Sequence, residues 1–243
     1  MSKRPGLFRT SPPSSVPPPF LPVSSAILNF SPATYVFFAQ YRLLVDEATR
    51  FPAALQDVLT FYHYLLRLGI EPGNIVVSGD SAGANLVIGL LRHLEKSQGA
   101  AASLPLPSGV MLWSPWVRVT QQAGAEFESH KNAANDCISA PILQWGAEAY
   151  FPRLPQPSTD ELAYISPIGD PFHTGVPIFI HGGTAEGLYD TISEFAGKMG
   201  RVDGNRVRFH STDFTTHNLI MAHDGWESEI EAVIKDAYRF FLL

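Results

Sequence analysis

The stretch GDSAG, residues 79–83, sets a serine between two glycines. It stands where an apolar run, NIVVSG (74–79), gives way to a helical pattern from Ala82 to Glu95. A G-x-S-x-G sequence at such a junction strains the serine backbone and holds its Oγ above the sheet edge. The chemistry this suits is nucleophilic attack by Ser81. The N–H of Ala82, at the helix start, can donate to a developing oxyanion. Gly79 and Gly83 are expected to be small because the turn brings strand and helix together. Asp80 beside the serine, with the aromatic residues Trp116, Trp145 and Phe151, are the candidate substrate contacts.

A nucleophilic serine needs a base, and the base needs an orienting acid. Eight histidines compete. His63 and His93 fall on helical patterns, His130 and His173 in and beside an irregular stretch, and His210 within a strand pattern. His217, in STDFTTHNLIMAH, follows the last strand pattern by a short loop, which is where the base should lie. His223 comes six residues later, a spacing that argues against a His–His metal pair. The acid should follow the preceding strand. HGGTAEGLYDTI offers Glu186 and Asp190. Either could be a first-turn helix residue favoured by the dipole. Glu186 is nearer the strand end and is the preferred acid. No metal-ligand cluster, phosphate-cradling loop or dinucleotide fingerprint is present, so neither metal nor cofactor is expected. Cys137 has no basic surroundings in sequence and reads as a bystander.

These residues must be positioned by a frame. Strand patterns occur at TYVFFAQY (34–41), 74–79, SGVMLWSPW (108–116), VPIFIHGG (176–183) and RVRFHS (206–211). Helical spacing occurs between them, at FPAALQDVLTFYHYLLRLG, Ala82 to Glu95, Thr191 to Met199, and the closing WESEIEAVIKDAYRFFLL. Alternation of this kind predicts an α/β fold, a mostly parallel sheet with helices on both faces. Residues 118–170 break the rhythm and read as a lid-like insertion. Residues 1–30 form a Pro/Ser-rich segment apart from the 31–243 domain. With six prolines between Pro12 and Pro22, its first 25 residues are expected to be extended.

Composition narrows the class. At 45% hydrophobic and 16% charged, 243 residues suit one globular domain. A net charge of -6 offers no basic field for nucleic acid. No run approaches the roughly 18 apolar residues of an integral membrane helix. One cysteine excludes an internal disulfide framework and fits a reducing, cytoplasmic setting. The N-terminus breaks into prolines before any apolar signal core.

The chain resembles the hormone-sensitive-lipase-like branch of the α/β-hydrolase fold, which includes carboxylesterases and steryl-acetyl-hydrolase-like proteins. The matching stretches are YRLLVDEATRFPAALQD (41–57), GDSAGANL (79–86), WSPWV (113–117), NDCIS (135–139), GTAEGLYD (183–190) and HN (217–218). The resemblance implies Ser81 as nucleophile, Glu186 as acid and His217 as base. Two departures are mild: the family acid is more often Asp, and Ala84 replaces a usual glycine. A third is larger. The family's HGGG loop, whose N–H groups form most of its oxyanion hole, has no counterpart in TSPPSSVPPPF. The expectation is an N-terminally truncated hydrolase lacking the family's first strands, a central one among them.

The function this predicts is serine hydrolysis of a small or moderately hydrophobic carboxylic ester through an acyl-enzyme. The alternatives are a non-hydrolytic descendant that binds a ligand or shapes a biosynthetic product, and an inactive truncated product.

Overall fold

The structure, a computed structural model, describes residues 21–43, 45–153, 156–222 and 225–242. Four parallel strands form one sheet in the order β1 (Val76–Asp80), β2 (Gly109–Trp113), β3 (Ile178–Gly183) and β4 (Val207–Thr212). In a parallel sheet all carboxyl ends share one edge, and ligands bind beyond it. The chain leaves β1 at Ser81, β2 at Ser114, β3 at Thr184 and β4 at Asp213, so four loops meet there.

Side-chain parity assigns the two faces. Val110 and Leu112 of β2, with Ile178 and Ile180 of β3, face a core shared with α3 (Ala82–Lys96) and α7 (Tyr189–Gly200). Met111, Trp113 and Phe179 face the opposite core, covered by α8 (Glu227–Phe241) and α1 (Leu21–Phe30). Both faces are therefore sheltered, and β2 and β3 are buried at every position.

Helix α3 is buried nearly all round, which marks a helix with structure on both sides. Ala84, Val87, Ile88 and Leu91 turn toward the sheet. Leu86, Leu90 and Leu94 turn toward Val58, Tyr62 and Leu65 of α2 (Ala53–Arg67). The helix that begins at the elbow is thus clamped between two layers, which fixes where its N-terminus points.

Two expectations fail. Residues 34–41 form no strand; the chain there has no regular secondary structure. The physical reason is the missing ladder. Among the described residues no strand lies on the outer side of β1, and β-prone side chains specify a strand only when a pleated neighbour receives them. Tyr35 is 75% exposed as a consequence. The expectation of an extended segment over the first 25 residues also fails over 21–25, which open the helix 21–30; its earlier part lies outside the described residues. Val23, Ala26, Ile27 and Phe30 recur at i, i+3, i+4 and i+7 and pack against the α8 core. Once the prolines end, that apolar stripe dominates.

The segment 118–170 contains three helices, α4 (Ala123–Glu128), α5 (Ala140–Tyr150) and α6 (Thr159–Ile165). Its ends close on each other, with Ile168 N donating to Val117 O at 3.2 Å. Val119, Phe127, Leu143, Ala147 and Ile165 enter the main core. A segment that gives this much apolar surface to the core is packed structure, not a loose flap.

One buried group gives the fold a pH dependence. His181 on β3 has no exposed surface and lies between the tilted rings of Trp113 and His210, with ring centroids at 5.4 and 6.2 Å. Its Nε2 meets Thr212 Oγ1 at 2.9 Å. Burial, helped by the neighbouring His210, lowers its pKa to about 3. An unfolded histidine titrates near 6.5, so between those values only the unfolded state takes up the proton. Stability is therefore full above pH 6.5 and falls as pH drops toward 3, by about 1.4 kcal/mol per pH unit from this residue. Urea unfolding between pH 6 and 4 should show wild type losing about that much more per unit than His181→Gln. Parallel losses in the two proteins would remove His181 as the cause.

Candidate active site

Gly79 and Ser81 create the elbow. A Cβ on Gly79 would lie 2.5 Å from the Gly83 carbonyl oxygen, a distance no side chain tolerates. Gly83 itself would accept a Cβ at ordinary contact distance, its nearest neighbours being 4.0 Å away. The smallness requirement therefore falls on the strand side of the turn, and the expected need at Gly83 is corrected. Ser81 takes φ 51 and ψ -116, a conformation that L side chains rarely adopt. It is held there by three backbone bonds. Ser81 N donates to Trp113 O at 2.9 Å, and Ser81 O accepts from Trp116 N at 3.1 Å and Asn85 N at 3.2 Å. Ala82 is exposed and opens α3, so its N–H belongs to the helix's unpaired first turn.

Ser81 Oγ lies 2.8 Å from His217 Nε2. His217 Nδ1 lies 3.1 Å from Glu186 Oε2. A carboxylate only accepts, so Nδ1 carries the proton and Nε2 is free to accept from the serine hydroxyl. Glu186 has no exposed surface, and His217 is 6% exposed. The other carboxylate oxygen of Glu186 accepts from Ser114 Oγ at 2.7 Å and Gly183 N at 2.5 Å. Ser114 is itself buried, with φ 44, and its oxygen accepts from Asn218 N at 3.0 Å. One serine thus links the loop after β2 to Glu186 and to the residue following His217.

The competing residues sit elsewhere. Asp190 is largely exposed and meets His130 Nε2 at 3.1 Å. His210 meets Asp236 at 2.8 Å on the α8 side. His173 contacts the Asp203 carbonyl, and His63 and His93 are exposed. His223 lies outside the described residues. Among the described residues no group of three or more potential ligands could hold a metal.

The candidate substrate contacts scatter. Asp80 is near the site: its carboxylate takes a bond from Asn218 Nδ2 at 3.2 Å. Burial pushes its pKa up, opposed by attraction to His217 and by that amide. Trp116 and Phe151 are buried in the main core, and Trp116 packs on Gly146, where an added Cβ would approach it to 3.2 Å. Trp145 is 61% exposed on α5. Buried Asn85 was missed in the sequence; its Nδ2 donates to Trp116 O and Ile165 O at 2.9 and 3.0 Å, tying α3 to both ends of the 118–170 segment. Ser114 and Asp136 were also missed as individual residues. They stand inside WSPWV and NDCIS, but only contacts between distant loops give them work.

The parallel sheet, the strained serine elbow and the buried histidine–carboxylate pair define an α/β-hydrolase architecture. The chain belongs to that family: the alpha/beta hydrolase fold model matches residues 23–221. It is 28% identical over 191 residues to an esterase of Acinetobacter venetianus, covering 78% of this chain and 59% of that protein. It is 33% identical over 144 residues to an acetyl-hydrolase of Streptomyces hygroscopicus, covering 58% of this chain and 43% of that protein. The chain thus spans about half the length of these relatives. Among solved structures, EstE5 soaked with p-nitrophenyl butyrate aligns with TM-score 0.73 and 25% identity, over 91% of this chain and 70% of that one. An esterase of the bacterial hormone-sensitive lipase family aligns with TM-score 0.68 at 23% identity, over 83% of this chain and 64% of that one, which speaks to the fold.

Ser114→Ala removes the hydroxyl that serves Glu186 and Asn218 N together. Hydrogen bonds to charged groups contribute about 1.5–3 kcal/mol. Urea unfolding at pH 7 should show a stability loss in that range. A loss below about 0.5 kcal/mol would mean that the buried carboxylate does not depend on Ser114, since changes away from such features stay within that size.

Proposed function

We propose that this protein is a serine carboxylic-ester hydrolase, with Ser81 as nucleophile, His217 as base and Glu186 as the acid that orients it. The observation that carries this reading is the unbroken contact series from Ser81 Oγ through His217 to a fully buried carboxylate, at 2.8 and 3.1 Å. A strained serine and a buried ion-capable pair are costly, and such strain persists where surrounding structure holds it for a purpose.

The steps follow from the atoms. Ser81 Oγ attacks the ester carbonyl carbon while its proton passes to His217 Nε2. The imidazolium is stabilised by Glu186 through Nδ1–H. Charge developing on the carbonyl oxygen faces the exposed Ala82 N–H at the α3 N-terminus, where the helix dipole adds to the donor. The tetrahedral species collapses, the C–O bond to the alcohol breaks, and the alkoxide takes the proton from His217. Water then repeats the sequence on the acyl-enzyme and regenerates the serine.

The substrate class proposed is a small or moderately hydrophobic uncharged ester. The relatives named esterase and acetyl-hydrolase favour it, as does the p-nitrophenyl butyrate used with EstE5. The buried positions of Trp116 and Phe151 move the argument away from an aromatic pocket built by those side chains.

The test is hydrolysis of p-nitrophenyl acetate and butyrate by the purified chain, Ser81→Ala and Glu186→Gln. Ser81→Ala should fall to the rate of buffer. Glu186→Gln should lose roughly 10³- to 10⁴-fold in kcat, because an amide can hold the wrong tautomer of His217. Equal rates for wild type and Ser81→Ala would sink the reading and leave ligand binding without turnover as the better one.

A further inference from the structure

The segment 118–170 reaches the site through Phe127 of α4 and the turn 130–137, and that turn carries side chains with no role in the proposed chemistry. Asp136 is the central one. Its Oδ1 accepts from His217 N at 2.9 Å and from Cys137 N at 2.8 Å. Its Oδ2 accepts from Gly187 N at 2.7 Å. One carboxylate therefore bonds to the backbone of the base itself and to the residue directly after the acid. We propose that Asp136 is a positioning residue for the Ser81–His217–Glu186 site, fixing the separation of the two loops that carry acid and base. This inference rests on the esterase reading.

The neighbouring contacts act in the same direction. Asn132 Nδ2 donates to Thr184 O at 2.9 Å and Glu186 O at 3.0 Å, so the acid loop is gripped on its carbonyl side as well. Cys137 Sγ donates to His217 O at 3.3 Å. Gly187 has no room for a side chain, since a Cβ there would fall 2.2 Å from the Phe127 ring of α4. The acid loop is thus pressed by α4 and held by Asp136 at the same residue. The base loop needs such holding. His217 lies between Phe214 at φ 62 and Asn218 at φ 64, both in the left-handed region. Phe214 has no conformational preference for that region, and its ring is 82% exposed, so packing does not hold it there. Its N–H is bonded to Thr184 Oγ1 at 2.9 Å, on the same acid loop.

The chemistry requires a carboxylate. Its two oxygens, both acceptors, meet N–H groups on two different loops, and charged acceptors bind such donors about twice as strongly as neutral ones. An asparagine keeps one acceptor oxygen and presents an NH₂ to the other loop. It can serve His217 and Cys137, or Gly187, but not both.

The experiment uses the full chain with Asp136→Ala, Asp136→Asn and, as a control on the exposed surface before β4, Asp203→Ala. Two readouts are taken: the second-order rate of Ser81 labelling by a fluorophosphonate, and the downfield proton resonance of His217 Nδ1–H. Displacement of a reacting group by about 1 Å costs on the order of 100-fold. Asp136→Ala should therefore label about 10- to 100-fold more slowly, Asp136→Asn should fall between, and Asp203→Ala should match wild type. The Nδ1–H resonance should move upfield in both Asp136 variants as the Glu186 bond lengthens. Wild-type labelling and an unchanged resonance in Asp136→Ala would overturn the proposal. So would a slower rate that follows the thermal midpoint alone while the resonance stays put. If Asp136→Ala does not fold, Asp136→Asn decides by the same criteria. If wild type itself is not labelled, the esterase reading falls, and the resonance comparison alone decides for or against Asp136.

Discussion

A carboxylate with no contact to solvent must have its charge met by donors from the protein, because desolvation otherwise drives it to the neutral form. Glu186 is in that position. Its donors come from β3 (Gly183 N), from the loop after β2 (Ser114 Oγ) and from the loop after β4 (His217 Nδ1). Three chain segments far apart in sequence are thereby committed to one point at the sheet edge. The register of the parallel strands makes this feasible: Trp113 pairs with His181, and Gly183 with Thr212, so the three loops leave the sheet at nearly one level.

The serine is brought to the same point by different means. Its position follows from packing of α3 rather than from charge. Ala84, Val87 and Leu91 fix the helix on the sheet, and Leu86, Leu90 and Leu94 are covered by α2. At its far end, buried Arg92 pairs with Asp170 at 2.8 Å and stacks on Phe172 at 4.4 Å. The helix cannot slide without breaking both layers. The left-handed backbone at Ser81 is therefore imposed from outside, by a rigid strand on one side and a doubly packed helix on the other. Rigid support of this kind is what a site needs when reacting atoms must be held within a fraction of an ångström.

The segment between β2 and β3 joins these two arrangements. Asn85 binds its start and end to α3, while Asn132 and Asp136 bind its middle to the loops that carry Glu186 and His217. It shares the main core, so its contacts with the loops are backed by buried apolar surface. The side of the sheet beyond β1 is different. Among the described residues no strand lies there, and in the chain from 31 to 43, which joins no ladder, Tyr35, Phe37 and Leu43 expose apolar surface.

Much of this was legible in the amino-acid order. Strand-to-helix patterning gave the four strands of the described sheet and α2, α3, α7 and α8, but not the three helices within 118–170. GDSAG gave the elbow, and the place of His217 after the last strand pattern set it apart from seven other histidines. These readings rest on local rules: period two against period 3.6, and the steric meaning of glycine. Other decisions needed the folded chain. Residues 34–41 have strand propensity, yet a ladder is a property of two chain segments. The helix at 21–30 depended on an α8 groove that local proline content could not reveal. Sequence preferred Glu186 to Asp190 by its nearness to the strand end and by the family resemblance; burial and the bond to His217 separate the two in the folded chain. Ser114, Asn132 and Asp136 were invisible as functional residues because their bonds cross some 50 to 100 positions of sequence. Sequence by itself determined which residues had reactive chemistry and which faces were apolar, because those are properties of side chains and spacing. The tertiary structure alone decided which polar groups were buried together, because desolvation and hydrogen-bond geometry exist only between segments already packed.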